Sequence, residues 1–255
     1  MRVISLQSGS NGNCIYVEAG GVRLLFDAGL SGVQVQERLA LHGRDVRGIQ
    51  GLVISHDHSD HSRSLGICQR KFGLPVYVTA KTLDAAQANC NLGKLDDVRH
   101  FASGARIRFG PVSVETIPTP HDAVDGVAFV VDDGRRRLGI LTDLGHVFSG
   151  LDAVISSLDA VLPESNYDVE MLTGGSYPEF LKRRIRGPGG HLSNIEAAEL
   201  LLRAAGSRLR WVCLAHLSHD NNSPDVALAT HKKILGQRWP LLVATRYQPT
   251  SVLEV

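Results

Sequence analysis

Three imidazoles and two carboxylates stand in six consecutive residues, His56-Asp57-His58-Ser59-Asp60-His61. Imidazole nitrogen and carboxylate oxygen are the donors that divalent cations such as zinc and manganese accept. Alternate side chains of an extended loop point the same way, so His56 and His58 can grip one ion while Asp60 and His61 face a second. A solvated, His-rich turn is the plain alternative, and further residues argue against it. VETIPTPH places His121 after one predicted strand, LGILTD places Asp143 after another, and WVCLAH places His216 after a third. Each alone reads as an ordinary loop residue. Together they form a ligand set on one rim, the way α/β folds build sites from the ends of different strands.

The elements that must position these residues are short. Runs rich in β-branched residues predict strands over 3–6, 15–17, 22–26, 51–55, 76–78, 112–117, 127–131, 138–141, 160–162, 211–215 and 241–244. Helical spacing predicts helices over 33–41, 64–72, 82–89, 177–185, 195–205 and 224–235. Ser193-Asn194-Ile195-Glu196 is a capping box, and Gly206 sits where a C′ glycine belongs. Strands dominate the first half and alternate with helices in the second. This pattern predicts one mixed α/β domain over 1–255, with two sheets and helices outside. The stretch around 145–157 is the nearest thing to a boundary and would join two similar halves.

The order HxHxDH, lone His, lone Asp, final His resembles the metallo-β-lactamase superfamily over nearly the whole chain. The resemblance implies an αβ/βα four-layer sandwich with a dinuclear site at one edge. It implies that His56, His58 and His121 hold one ion, that Asp60, His61 and His216 hold the other, and that Asp143 bridges them. An Asp at the bridging place, beside Asp60 and His61, is similar to the phosphodiesterase side of the superfamily; the Cys of many true β-lactamases is absent. SGSNGN (8–13), ESNYD (164–168), YPEFLKRRI (177–185), GHLSN (190–194) and LAHLSHDNN (214–222) resemble the YycJ/WalJ group of bacterial metallohydrolases, near ribonuclease Z and the cyclic phosphodiesterase PhnP.

Two metals sharing a carboxylate hold a hydroxide whose pKa falls toward ~7. Asp60 is placed to accept the hydroxide's proton. Seven N/O donors without a thiolate suit zinc, with manganese or iron as alternatives. Asp57 and Asp27 are candidates for polar support, Asp27 as the residue that fixes the turn beneath the metal loop. The leaving alkoxide needs an acid. His191 precedes a helix start, where the dipole favours an anion, and stands where related phosphodiesterases place a general-acid histidine. Glu164 is its candidate orienting partner, and His219 is the alternative donor.

Lys182, Arg183, Arg184 and Arg186 make the densest basic run, close to the glycine loop that leads into His191. Such a surface would neutralise a polyanion and make binding salt-sensitive. Ser10 and Asn13 in the Gly/Asn loop are candidate anion contacts. Arg135-Arg136-Arg137 reads as decoration of a hairpin turn. The first expectation is therefore a nuclease, an exonuclease on DNA, using two divalent ions. The alternative is a small-molecule hydrolase cleaving a cyclic phosphodiester, thioester or lactone.

Composition sets the outer bounds. With 27 Lys+Arg against 26 Asp+Glu, the net charge is +1, so electrostatic recognition must come from a local patch. Only 5% of residues are Phe, Trp or Tyr, which favours backbone tracking over reading of bases. No apolar run approaches the ~18 residues of a spanning helix, and the start lacks a signal-peptide core. Cys14, Cys68, Cys90 and Cys213 are scattered, as free thiols of a cytoplasmic protein would be.

Overall fold

Two seven-stranded sheets form from the β-branched runs in the computed structural model, which describes residues 1–255. The first contains β1 (Arg2–Gln7), β2 (Cys14–Ala19), β3 (Val22–Phe26), β4 (Gly51–Val53), β5 (Val76–Val78), β6 (Val98–His100) and β14 (Leu253–Glu254). The second contains β7 (Arg106–Phe109), β8 (Val112–Pro118), β9 (Val127–Asp132), β10 (Arg137–Leu141), β11 (Ala160–Pro163), β12 (Trp211–Leu214) and β13 (Leu241–Val243). Spatial order is β14-β1-β2-β3-β4-β5-β6 in one sheet and β13-β12-β11-β10-β9-β8-β7 in the other. Each sheet begins as an antiparallel meander and continues as parallel strands, β3 to β6 and β10 to β13.

The helices are α1 (Gly32–Ala40), α2 (Ser59–Ser62), α3 (Leu65–Phe72), α4 (Ala80–Asn89), α5 (Leu151–Ser156), α6 (Val169–Gly174), α7 (Glu179–Arg186), α8 (Asn194–Ala204) and α9 (Pro224–Leu235). The inner faces of both sheets share one core, in which Val17 and Phe26 meet Val114 and Phe129; the Phe26 and Phe129 rings lie 5.1 Å apart. The outer face of the first sheet packs under α1, α3 and α4 through Val35, Leu39, Leu65 and Leu83. The outer face of the second packs under α5, α8 and α9 through Leu151, Leu201 and Leu235. This is the expected αβ/βα sandwich, because alternation on each strand supplies two apolar faces and both must be covered.

Two expectations need correction. The change of sheet falls between β6 and β7, at residues 101–105, whereas 145–157 lies inside the second sheet's connections. Strands β6, β7 and β14 and the short helices α2, α5 and α6 also go beyond the predicted elements. The capping box at Ser193 is formed, but Gly206 does not adopt the left-handed conformation. It is small for another reason: a Cβ there would lie 2.9 Å from the Ser156 carbonyl oxygen.

Candidate active site

Strands β4, β8, β10, β11 and β12 point their C-terminal ends at one rim, and the residues just beyond them carry the polar groups. The loop after β4 brings His56 and His58, and α2 then turns Asp60 and His61 inward; the motif is thus half extended and half helical. His121 follows β8, Asp143 follows β10, Glu164 follows β11 and His216 follows β12. Donor atoms of His56, His58 and His121 lie within 4.8 Å of one another, as do those of Asp60, His61 and His216, and of His56, His61 and Asp143. Asp143 stands between the two groups: Oδ1 is 3.4 Å from His216 Nε2 and 3.7 Å from His121 Nε2, and Oδ2 is 3.3 Å from His61 Nε2.

The rings are held from behind, so that their other nitrogens face one another. Asp27 is the main anchor. It accepts from the Ser55 N–H at 2.8 Å, from Ser55 Oγ at 3.0 Å and from His61 Nδ1 at 2.7 Å. Ser55 Oγ also meets His56 Nδ1 at 2.9 Å. His121 Nδ1 donates to the Gly190 carbonyl at 2.8 Å, which orients its Nε2 toward the cluster. Asn166 lies 3.1 Å from His216 Nδ1 and donates to the His216 carbonyl. Asp57 ties the loop to its neighbours, accepting from the Val124 N–H at 2.8 Å.

Charge in the cluster suits a cation. Burial, followed by the neighbouring His61, pushes the His56 imidazole well below its ordinary value, and burial with His121 lowers His58. Burial opposes the charge on His61, but Asp143, Asp27 and Asp60 outweigh it and hold that ring well above the usual value. Burial likewise favours neutral Asp60 and Asp143, yet the imidazoles hold both carboxyls well below their range. His56 Nε2 and Asp143 Oδ2 are buried with no hydrogen-bond partner. Such buried acceptors each cost about 1–3 kcal/mol, and both are aimed at the donor set of a divalent ion. The residues present fit such ions, with nitrogen and oxygen donors only.

His191 and Glu164 sit beside this cluster. His191 Nδ1 lies 2.5 Å from Glu164 Oε1, and its ring stacks on His216 at 5.3 Å. Glu164 is fully buried and is aimed by the Leu144 and Leu192 N–H groups at 3.1 and 3.3 Å. Burial pulls the His191 imidazole down, but Glu164, then Asp143 and Asp60, hold it above the usual histidine value. The ring lines a cleft of about 350 Å³ that also contains Asp60, Asp143, Arg184 and Ser10.

The other predicted contacts divide. Ser10 is exposed on the rim, and Arg184 reaches the cleft while pairing with Asp122 at 2.6 Å. Arg183 is exposed outside it, and Arg186 turns back to the Lys182 carbonyl. Lys182 is not a free cation: it is buried, and Nζ donates to the Thr173 carbonyl at 2.8 Å. Asn13 is also corrected. It lies under the cluster, its amide 3.2 Å from Asp60 Oδ2 and 2.9 Å from His61 Nε2, with no open face. His219 is set aside as proton donor, since it is exposed, contacts Asp220 at 2.8 Å and does not line this cleft. Arg136 and Arg137 make structural ion pairs with Asp159, Asp132 and Glu115. Asn166, Tyr177, Leu181 and Ile185 complete the walls without having been singled out; the motifs ESNYD and YPEFLKRRI that contain them were the available signal.

Residues 22–216 match the model of the beta-lactamase superfamily domain, and the chain belongs to that superfamily. Within it, the chain is 38% identical to exodeoxyribonuclease WalJ of Streptococcus pneumoniae, over 91% of this chain and 87% of that protein. It is 35% identical to exodeoxyribonuclease YycJ of Bacillus anthracis, over 91% and 88%. The crystal structure of the metallo-beta-lactamase fold protein YhfI from Bacillus subtilis superposes with a TM-score of 0.73 at 16% identity, covering 98% of this chain and all of that one. The likeness to YhfI concerns the fold; the likeness to the two exodeoxyribonucleases extends to sequence.

Proposed function

We propose that this chain is a metal-dependent phosphodiesterase that degrades nucleic acid, with DNA shortened from an end as its activity. The observation that carries the chemistry is the His191–Glu164 pair set directly against a buried cluster of imidazoles and carboxylates. Two divalent ions, zinc first and manganese or iron as alternatives, held by His56, His58 and His121 and by Asp60, His61 and His216 with Asp143 between, would supply a nucleophile active near neutral pH and neutralise phosphate charge. Asp60 takes the proton of the attacking water at Oδ1, since Oδ2 is engaged with Asn13 and His216. His191 gives a proton from Nε2 to the leaving oxygen, while Glu164 holds its Nδ1 and stabilises the imidazolium. Arg184 and Ser10 border the phosphate path.

DNA as substrate is supported by the activity named for the two bacterial relatives. The cleft has an exposed rim at Ser10, Ser59 and Arg184, which suits a chain passing across it better than a small enclosed ester. The four free cysteines, three of them buried, fit a reducing, cytoplasmic setting. End-labelled single- and double-stranded DNA and matched RNA test the proposal. Metal-reconstituted protein should shorten DNA progressively, and Asp60→Ala protein should not. Absence of cleavage with both Mn²⁺ and Zn²⁺ would move the assignment to a small cyclic phosphodiester, thioester or lactone.

A further inference from the structure

A second cleft, of about 260 Å³, opens beside the first and takes no part in the chemistry above. The two share Ser218 as a common wall. Arg246 lines the second cleft. Its Nη2 donates to the Leu217 carbonyl at 3.4 Å and lies over Gly9, where a Cβ would be 3.3 Å away. No carboxylate lies within ion-pair distance of this guanidinium, unlike that of Arg184 on the wall of the first cleft, which pairs with Asp122. The other N–H groups of Arg246 make no hydrogen bond within the protein, and the residue is half-buried on the cleft wall. Tyr247 is 65% exposed on the same wall.

A lone exposed tyrosine needs no explanation, but this one is held out by a fixed loop. Arg38 donates to the Tyr247 carbonyl at 3.0 Å and to Leu6 and Gln7 at 2.7 and 2.6 Å. Thr245 accepts from the Ser8 N–H at 3.1 Å and closes its own turn on Gln248 at 3.0 Å. An aromatic ring, an unpaired guanidinium and the imidazole of His219 thus line a cleft that adjoins the cleavage site at Ser218. Asp220, the neighbour of His219 in sequence, is occupied by Tyr177 Oη at 2.8 Å and by His219.

We propose that this cleft seats the nucleotide next to the scissile phosphodiester in a single strand, with Tyr247 stacking on its base and Arg246 holding its phosphate. The assignment rests on the nuclease reading above. It predicts tolerance of base identity, because every base offers a π-face. Steady-state kinetics on a single-stranded oligonucleotide and on bis(p-nitrophenyl) phosphate, which is too small to span both clefts, test it. Tyr247→Ala should lower kcat/KM on the oligonucleotide roughly tenfold or more, chiefly through KM, and Tyr247→Phe should restore it. Arg246→Ala should act likewise and reduce the salt dependence by about one charge. On the small ester each variant should lose at most about twofold in kcat/KM. Equal losses on both substrates, or no loss on the oligonucleotide, would overturn the subsite. Wild-type protein that hydrolyses the small ester but no oligonucleotide would overturn the nuclease reading, and the subsite with it.

Discussion

Asp27, Asp143 and His216 hold φ values of 65°, 56° and 56°, a left-handed region that residues other than glycine rarely occupy. Such strain costs of order 1–3 kcal/mol each and persists where surrounding contacts over-determine it. Here Asp27 anchors His61, and Asp143 and His216 face the cluster. The residue types and their spacing were legible in the sequence; this backbone geometry was not, because no local pattern marks a forced turn at Asp or His. Asn13 and Lys182 misled for a related reason, since a polar side chain in a loop or basic run gives no sign of which way it packs. His191 makes the sharpest prediction at this scale. His191→Ala should slow an ester with a poor leaving group far more than one releasing p-nitrophenolate; equal slowing would remove it as proton donor. The proton on His191 is lost as pH rises through a value that Glu164 keeps elevated against burial. Glu164→Gln should therefore move the alkaline fall in activity to lower pH.

Strands and helices place these residues by where they stop. The β-branched runs before His56, His121, Asp143 and His216 were legible because hydrophobic periodicity ends at the first residue that must face the rim. Strands β6 and β7 were harder to see: one is three residues long, and both carry arginines that face solvent. In the parallel part of the second sheet, Asp159, immediately before β11, ties that strand to the start of β10. Its buried carboxylate accepts from the Arg137 N–H and from the Arg136 and Arg208 guanidiniums, each at 2.9 Å. Burial raises this carboxyl, but those three donors outweigh it and hold the pKa below the usual value. A lowered folded pKa means that the stabilisation is full above the ordinary carboxylate range and is lost as pH falls through the folded value. Asp159→Asn should destabilise by about 1.5–3 kcal/mol at pH 7, with the gap to wild type closing in acid. A pH-independent gap in denaturant melts would contradict the ion-pair role.

At the scale of the molecule, the two sheets share a core of 25 buried residues, and β14 returns the end of the chain to β1, pairing Arg2 with Glu254. Neither feature is local, so the sequence showed two similar halves but misplaced their junction; the loop at 101–105 looks like any other turn. With one shared core, residues 1–255 should unfold as a single domain in one transition, and that transition should rise with metal and fall with a chelator, because ions held only by the folded cluster stabilise it. The most direct test of the account is calorimetric titration of Mn²⁺ or Zn²⁺ into chelator-stripped protein, run alongside Asp143→Ala and His56→Ala variants and paired with cleavage of end-labelled DNA. Wild-type protein should bind two ions per chain, both variants should load weakly or incompletely, and cleavage should appear as the ions bind. Wild-type protein that binds no ion, or variants that load and cleave as wild type does, would contradict it.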